Sequence, residues 1–272
     1  MKKNLSDLVI MSDVDGTLLD VHHSHLPSRG NIEALERFVA KGGRFAIATG
    51  RSERYIRHLA QVLPVNFPCI VFNGGGIYDF QKEEYLSKLF FPNAIEQYVR
   101  DIEAAFPGCG IVFADEDVYL DIGGRITEKY ASLYINDLLK PGGFDEVKGP
   151  YLKVFFILPP ERARLLYEYI QRADFSGVGF VFSDKHMLEM LPENSSKGVA
   201  LEQLMESTGI KRENFVAIGD YYNDVEMLKC AGIGVTLSDA PQDIKDIAQM
   251  IVRPCAQDSL ADLVERLEEQ YT

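Results

Sequence analysis

Short apolar or β-branched runs at both ends of the chain, each closed by a polar residue or a turn and followed by a helical stripe, restrict this sequence to βα construction. The runs lie at 8–12, 44–48, 69–72, 215–219, 232–236 and 250–252. They are strand-length, and continuous apolar runs of that length suit strands covered on both faces. Between them, Ile32, Leu35, Phe38 and Val39 repeat at helical spacing up to Gly42, and Tyr55, Ile56, Leu59, Val62 and Leu63 do so up to Pro64. Leu260, Leu263, Val264 and Leu267 form a further stripe near the C-terminus. Glycine and proline stop helices, so each stripe has a defined end. The expectation is an α/β fold with a mostly parallel, Rossmann-like sheet.

The middle of the chain follows another rule. A helix carrying Ile95, Tyr98, Val99, Ile102 and Phe106 precedes strands at 111–114 and 118–121, and a helix carrying Ile126, Tyr130, Leu133 and Leu138 precedes a strand at 152–158. Leu165, Leu166, Tyr169 and Ile170 mark one more helix, before strands at 178–183 and 186–191. Helix-strand-strand occurs twice, which implies an inserted α+β domain, an open sheet with helices on one face. The Gly/Pro-rich stretch 140–150 reads as a loop within it, and the joints fall near 79–84 and at Pro192. The expected division is therefore 1–82 with 192–272 for the outer domain and 83–191 for the insert.

Composition removes several function classes. The chain has 272 residues, 46% of them hydrophobic, and a net charge of −13 from 28 Lys and Arg against 41 Asp and Glu. No apolar run approaches the roughly 20 residues needed to span a bilayer, and the start of the chain lacks a signal-peptide core. The expected location is the cytoplasm. Cys69, Cys109, Cys230 and Cys255 are far apart, without metal-ligand spacing, and read as reduced thiols. No basic cluster stands out to track a phosphate backbone, so neither nucleic acid nor membrane is an expected partner. An anionic small substrate requires local positive charge that overrides the global field.

Chemistry concentrates where the strands end. Asp13 and Asp15, in the run Asp13-Val14-Asp15-Gly16-Thr17, leave the first strand two apart, an arrangement suited to one carboxylate attacking while the other moves protons. Thr49, Gly50 and Arg51 leave the second strand at the start of a helix, a natural seat for phosphate, although Thr49 alone would be an ordinary helix cap. Asn73 follows the third strand. Lys197 and Gly198 open a helix in which a first-turn lysine opposes the helix dipole; a bound dianion removes the conflict, whereas a solvated lysine is the plain alternative. Gly219, Asp220, Tyr221, Tyr222, Asn223 and Asp224 add two acids and an amide; Asp224 alone would be a helix-start acid. In an open parallel sheet the ligand crevice lies at the carboxyl ends of the strands, so these segments converge. Asp13, Asp15 and Asp220 offer the hard oxygens that Mg²⁺ prefers.

These four motifs, in this order and with the repeated insert between the second and third, resemble the haloacid dehalogenase (HAD) superfamily, specifically Cof-like phosphatases with a type IIB cap. The resemblance covers nearly the whole chain; Ser12, Tyr221 and Tyr222 depart from the usual occupants. It implies a Mg²⁺-dependent phosphatase acting on a small phosphorylated metabolite. Asp13 would be the nucleophile forming an aspartyl phosphate, and Asp15 the proton donor and later base. It further implies Mg²⁺ on Asp13, the carbonyl of Asp15 and Asp220, with Asp224 supporting them. Val14, Thr49, Gly50, Lys197 and Asn223 would hold the phosphate oxygens, and Asn73 and Arg51 are candidates for touching substrate. The cap, with Arg125 and His186 among its candidates, would select the substrate. Rival readings are a sugar-phosphate mutase of the same superfamily, a response-regulator-like phosphoacceptor, and a ligand-binding protein of the same fold without turnover. Oligomeric state is not written in the sequence.

Overall fold

The computed structural model describes residues 4–20, 26–114, 118–121, 140–141 and 149–271. In chain order the elements are β1 (Val9–Ser12), α1 (Arg29–Ala40), β2 (Arg44–Ile47), α2 (Glu53–Val62), β3 (Cys69–Val71), β4 (Gly76–Asp79), β5 (Glu84–Lys88), α3 (Ile95–Ala105), β6 (Gly110–Ala114), β7 (Val118–Asp121), β8 (Lys140–Pro141), β9 (Lys153–Ile157), α4 (Pro160–Ile170), β10 (Val178–Asp184), β11 (Met187–Pro192), α5 (Lys197–Thr208), β12 (Phe215–Ile218), α6 (Val225–Cys230), β13 (Ile233–Leu237), α7 (Gln242–Ile247), β14 (Met250–Val252) and α8 (Ser259–Gln270). They divide into two compact units, Met1–Ser87 with Ser196–Thr272, and Lys88–Ser195.

The first unit is built on a sheet of order β14-β13-β12-β1-β2, parallel throughout. Strand β1 sits between β12 and β2 and is buried along its whole length, as its apolar residues Val9, Ile10 and Met11 require; the buried hydroxyl of Ser12 is satisfied by the Asp13 carbonyl at 2.7 Å. A parallel bridge, Ala48 to Ile70, places β3 beside the end of β2. Leu35 and Phe38 of α1, and Leu260, Leu263, Val264 and Leu267 of α8, are buried, and the two helices pack on one another. The stripes in the sequence are therefore core faces. The carboxyl ends of β1, β2, β3 and β12 are where Asp13, Thr49, Asn73 and Asp220 follow.

Two sequence readings need correction here. The expected joint at 79–84 is the turn between β4 and β5, which extend β3 into a three-stranded sheet. The division falls after Ser87 and after Ser195 rather than after residues 82 and 191, because pairing keeps the hairpin with the first unit. The stretch 140–150 is not wholly a loop either, since β8 pairs in parallel with β7.

The second unit has a sheet of order β10-β11-β9-β6-β7-β8. Ile95, Val99 and Ile102 of α3 and Ala163, Leu166 and Ile170 of α4 share one core with Val154 and Phe156 of β9 and Leu188 and Met190 of β11. Those strand residues alternate, so both helices cover the same face. The opposite side of the same strands holds Lys153 and Glu189, a buried pair 2.6 Å apart. His186 lies in the β10–β11 turn, its ring nitrogen Nδ1 3.3 Å from the Leu158 carbonyl oxygen. The helix read at Ile126 to Leu138, and Arg125, lie outside the described residues. Among the described residues, no helix is long and apolar enough to cross a membrane.

Candidate active site

Asp13 begins where β1 ends. Its backbone N–H donates to the carbonyl of Ile218 at 2.9 Å, so the carboxylate leaves the sheet from a fixed point beside β12. The chain then turns at Gly16 with φ +85°, a left-handed conformation open to glycine. A side chain there would meet Asp220, with an ideal Cβ only 2.5 Å from its Oδ2. The turn thus presses the first motif against the last. Thr17 completes the contact, its hydroxyl donating to Asp220 Oδ1 at 2.7 Å. The carbonyl of Thr17 in turn accepts the buried hydroxyl of Ser259 at 2.7 Å, which ties the start of α8 to the same loop.

Lys197, the first residue of α5, has no exposed surface, and its ammonium lies 2.5 Å from Asp13 Oδ1 and 2.6 Å from Asp224 Oδ1. The helix is started by Ser196, whose hydroxyl accepts the Val199 N–H at 3.1 Å. Asp224 uses its other oxygen to accept the backbone N–H groups of Asp220 at 3.1 Å and Tyr221 at 3.2 Å. It is a strut between the lysine and the loop that carries Asp220.

The remaining motif residues form a second shelf. Thr49 accepts the N–H of Arg51 on its hydroxyl at 3.1 Å and the N–H of Asn73 on its carbonyl at 2.9 Å. The amide of Asn223 donates to Asn73 Oδ1 at 3.1 Å, joining segments 150 positions apart. Arg51, read from sequence as a candidate for touching substrate, forks onto Asp15 in this structure: Nε donates to Oδ2 at 2.8 Å and Nη2 donates to Oδ1. Nothing in the sequence signalled this pairing. Thr17 stood within the first motif without an assigned role, and Ser259 was not singled out at all.

Gly74, with φ +96°, packs where an ideal Cβ would lie 2.1 Å from the Ser196 carbonyl oxygen. Gly74→Ala should therefore destabilise the fold by about 2–3 kcal/mol, from left-handed strain and overpacking at the foot of α5. A lower urea midpoint checks this; an unchanged midpoint contradicts the close approach.

Electrostatics set the demand of the site. Burial pushes the Asp13 carboxyl well above its ordinary range; Lys197 opposes this, while Asp224, Asp220 and Asp15 add to it. Asp220 is pushed up to about 7, by burial and then by Asp224, against the pull of the Thr17 hydroxyl and Lys197. For Lys197, burial favours the neutral amine, but Asp13 and Asp224 outweigh it and raise its pKa. Among the described residues, four carboxylates, those of Asp13, Asp15, Asp220 and Asp224, thus share two cationic side chains, Lys197 and Arg51. One oxygen each from Asp13, Asp220 and Asp224 lies within 4.8 Å of the others, a spacing that could hold a cation. An all-carboxylate donor set fits a hard divalent ion.

The family model for haloacid dehalogenase-like hydrolases matches residues 10–264. The pyridoxal phosphate phosphatase YbhA of Escherichia coli is 27% identical over 265 residues, covering 94% of this chain and 97% of that protein. The crystal structure of a haloacid dehalogenase-like hydrolase from Bacteroides thetaiotaomicron is 25% identical, with a TM-score of 0.83 over 96% of this chain and 99% of that one. The HAD subclass IIB sugar phosphatase BT4131, 22% identical, has a TM-score of 0.81 over 96% of this chain and 99% of that one, a likeness of fold. The fold is accordingly a mixed α/β one with a central parallel sheet, like those of HAD neighbours with caps of subclass IIB. The chain belongs to the haloacid dehalogenase-like hydrolase family and is an enzyme of that superfamily.

Proposed function

We propose that this enzyme is a Mg²⁺-dependent phosphomonoesterase that hydrolyses a small phosphorylated metabolite through a phosphoryl group carried on Asp13. The observation that carries the reading is the fully buried lysine shared by Asp13 and Asp224, with Asp220 close by. A strand-end carboxylate placed beside a buried ammonium is oriented for attack and lies next to positive charge for the transferring group.

In the first step an Asp13 oxygen bonds to phosphorus as the bond from phosphorus to the ester oxygen breaks. Asp15 supplies the proton that the departing alkoxide takes up. In the second step Asp15 takes a proton from water while the water oxygen attacks phosphorus, the bond to Asp13 breaks, and inorganic phosphate leaves. Lys197 holds Asp13 and offsets charge on the phosphoryl oxygens; the backbone at Val14 and Gly50, the Thr49 hydroxyl and the Asn223 amide bind those oxygens. The Mg²⁺ ligands in this reading are Asp13, the Asp15 carbonyl and Asp220, with Asp224 supporting. When bound, the ion supplies the positive charge a phosphate dianion needs in a cluster of acids. The acidic cluster supports Asp13 and Asp220 as members of this donor set, and the excess of carboxylates over cations among the described residues supports the need for an ion.

The test combines turnover with a binding readout. With Mg²⁺ the enzyme should release phosphate from p-nitrophenyl phosphate and from members of a phosphomonoester panel. Pyridoxal phosphate belongs in that panel on the strength of the name of the Escherichia coli relative. EDTA should abolish release. Mg²⁺ should also raise the melting temperature without any substrate, since an ion at about 100 times its dissociation constant stabilises the native state by roughly 2.7 kcal/mol. Metal-independent turnover, or isomerised sugar phosphate without free phosphate, would overturn the proposal.

A further inference from the structure

Among the described residues, Arg51 is a charged group beside the carboxylates to which the proposed reaction gives no task. Its guanidinium holds both oxygens of Asp15, and its side chain is 19% exposed against 35% for Asp15. The loop beneath it is fixed at two points. The Arg51 N–H donates to the Thr49 hydroxyl at 3.1 Å, and its carbonyl accepts the Phe72 N–H at 3.0 Å. The backbone of Asp15 is held by a bridge to Leu19, with the Gly16 N–H donating to the Leu19 carbonyl at 2.9 Å, but that leaves the rotation of its carboxyl group unset. Asp15 sits on a turn after β1, and among the described residues Arg51 supplies its side-chain hydrogen bonds.

We propose that Arg51 is a positioning residue for the leaving-group step: it holds the plane of the Asp15 carboxyl so that its proton reaches the departing ester oxygen. This rests on the reading of Asp15 as the proton-transfer group. A planar fork fixes a carboxyl group in both distance and rotation, which a point charge cannot do. The two hydrogen bonds leave Asp15 lone pairs for a third partner, since two oxygens offer about four sites. Arg51 also interacts favourably with the charges of both Asp15 and Asp13, two acids that repel each other. The substrates that depend on this device are esters of ordinary alcohols, whose alkoxides cannot leave without a proton. Aryl phosphates with acidic phenols leave unaided.

The experiment compares p-nitrophenyl phosphate with a hexose phosphate from the panel, in Arg51→Ala, Arg51→Lys and Asp15→Asn, by kcat/KM. That constant reports the first phosphoryl transfer, in which the leaving group departs, rather than the hydrolysis common to both substrates. In Arg51→Ala the alkyl ester should lose about 10²-fold, within the range of general acid catalysis, while the aryl ester loses no more than about threefold. Asp15→Asn should show the same selectivity more strongly. Arg51→Lys keeps the charge without the fork and should recover little. The ratio of the two substrates in one sample is independent of how much protein is folded. Equal losses on both esters would overturn the proposal and assign Arg51 to the phosphoryl group itself, and an unchanged alkyl rate would overturn it outright. Wild-type protein that releases no phosphate from either ester would instead remove the hydrolytic reading, and this inference with it.

Discussion

Asp13→Asn is expected to end turnover while leaving the fold standing. Asparagine has the shape of aspartate but lacks the anionic oxygen that must bond to phosphorus, so no phosphoryl group can be taken up. The fall in kcat should be about 10⁵-fold or more, the scale seen when a covalent nucleophile is removed. The structural cost should be small for a specific reason. Burial and three neighbouring acids already disfavour the charge on Asp13, so neutralising it relieves a crowd at the same time as it weakens one contact of Lys197. Lys197 keeps Asp224 at 2.6 Å. With about 2–4 °C of melting temperature per kcal/mol in a chain of this size, a shift within about 4 °C is expected. Turnover of p-nitrophenyl phosphate beside a thermal melt checks both halves. Retained activity would show that Asp13 is not the attacking group.

What the sequence disclosed, and what it hid, follow from one distinction. Strands such as β1 and β12 are legible because burial on both faces writes a short apolar run, at 8–11 and 215–218, and the turn follows within two residues of each. Convergence of Asp13, Thr49, Asn73 and Asp220 then follows from parallel topology alone. Side-chain partners are another matter. Thr17 with Asp220, and Ser259 with the Thr17 carbonyl, depend on where loops more than 200 positions apart come to rest. Arg51 has the composition of a surface residue and the position of a phosphate-loop residue, and only the geometry shows it engaged with Asp15. Lys153 and Glu189 illustrate the same limit in the second unit, since each is a lone charge in an otherwise apolar strand and only the geometry shows the two buried against each other. The β4–β5 hairpin was hidden by its own turn residues, which read equally well as a linker.

Lys197→Met should be the most costly of these changes in stability, and it should also slow turnover. Methionine can fill the space of the lysine stem, so the loss isolates the ammonium. That group bridges two buried carboxylates at 2.5 and 2.6 Å, and without it Asp13 and Asp224 face each other, and Asp220, across a site short of positive charge. Breaking a buried ion pair by deleting one partner typically costs about 3–5 kcal/mol, because an uncompensated charge remains. A fall of about 10 °C in melting temperature is therefore expected. Turnover should drop at least about 10³-fold, since both the orientation of Asp13 and charge stabilisation of the transferring group are lost. Asp224→Asn in the same background separates charge from packing. If the cost is an unpaired carboxylate, the double variant should be more stable than Lys197→Met alone, because neutralising Asp224 removes part of the repulsion that the lysine had balanced. If the cost were only a lost contact of α5, the second substitution would add to it, and the strut from Asp224 to the backbone of Asp220 would weaken further. Recovery of stability without recovery of rate would mark Lys197 as a charge the reaction uses, beyond its part in holding the fold.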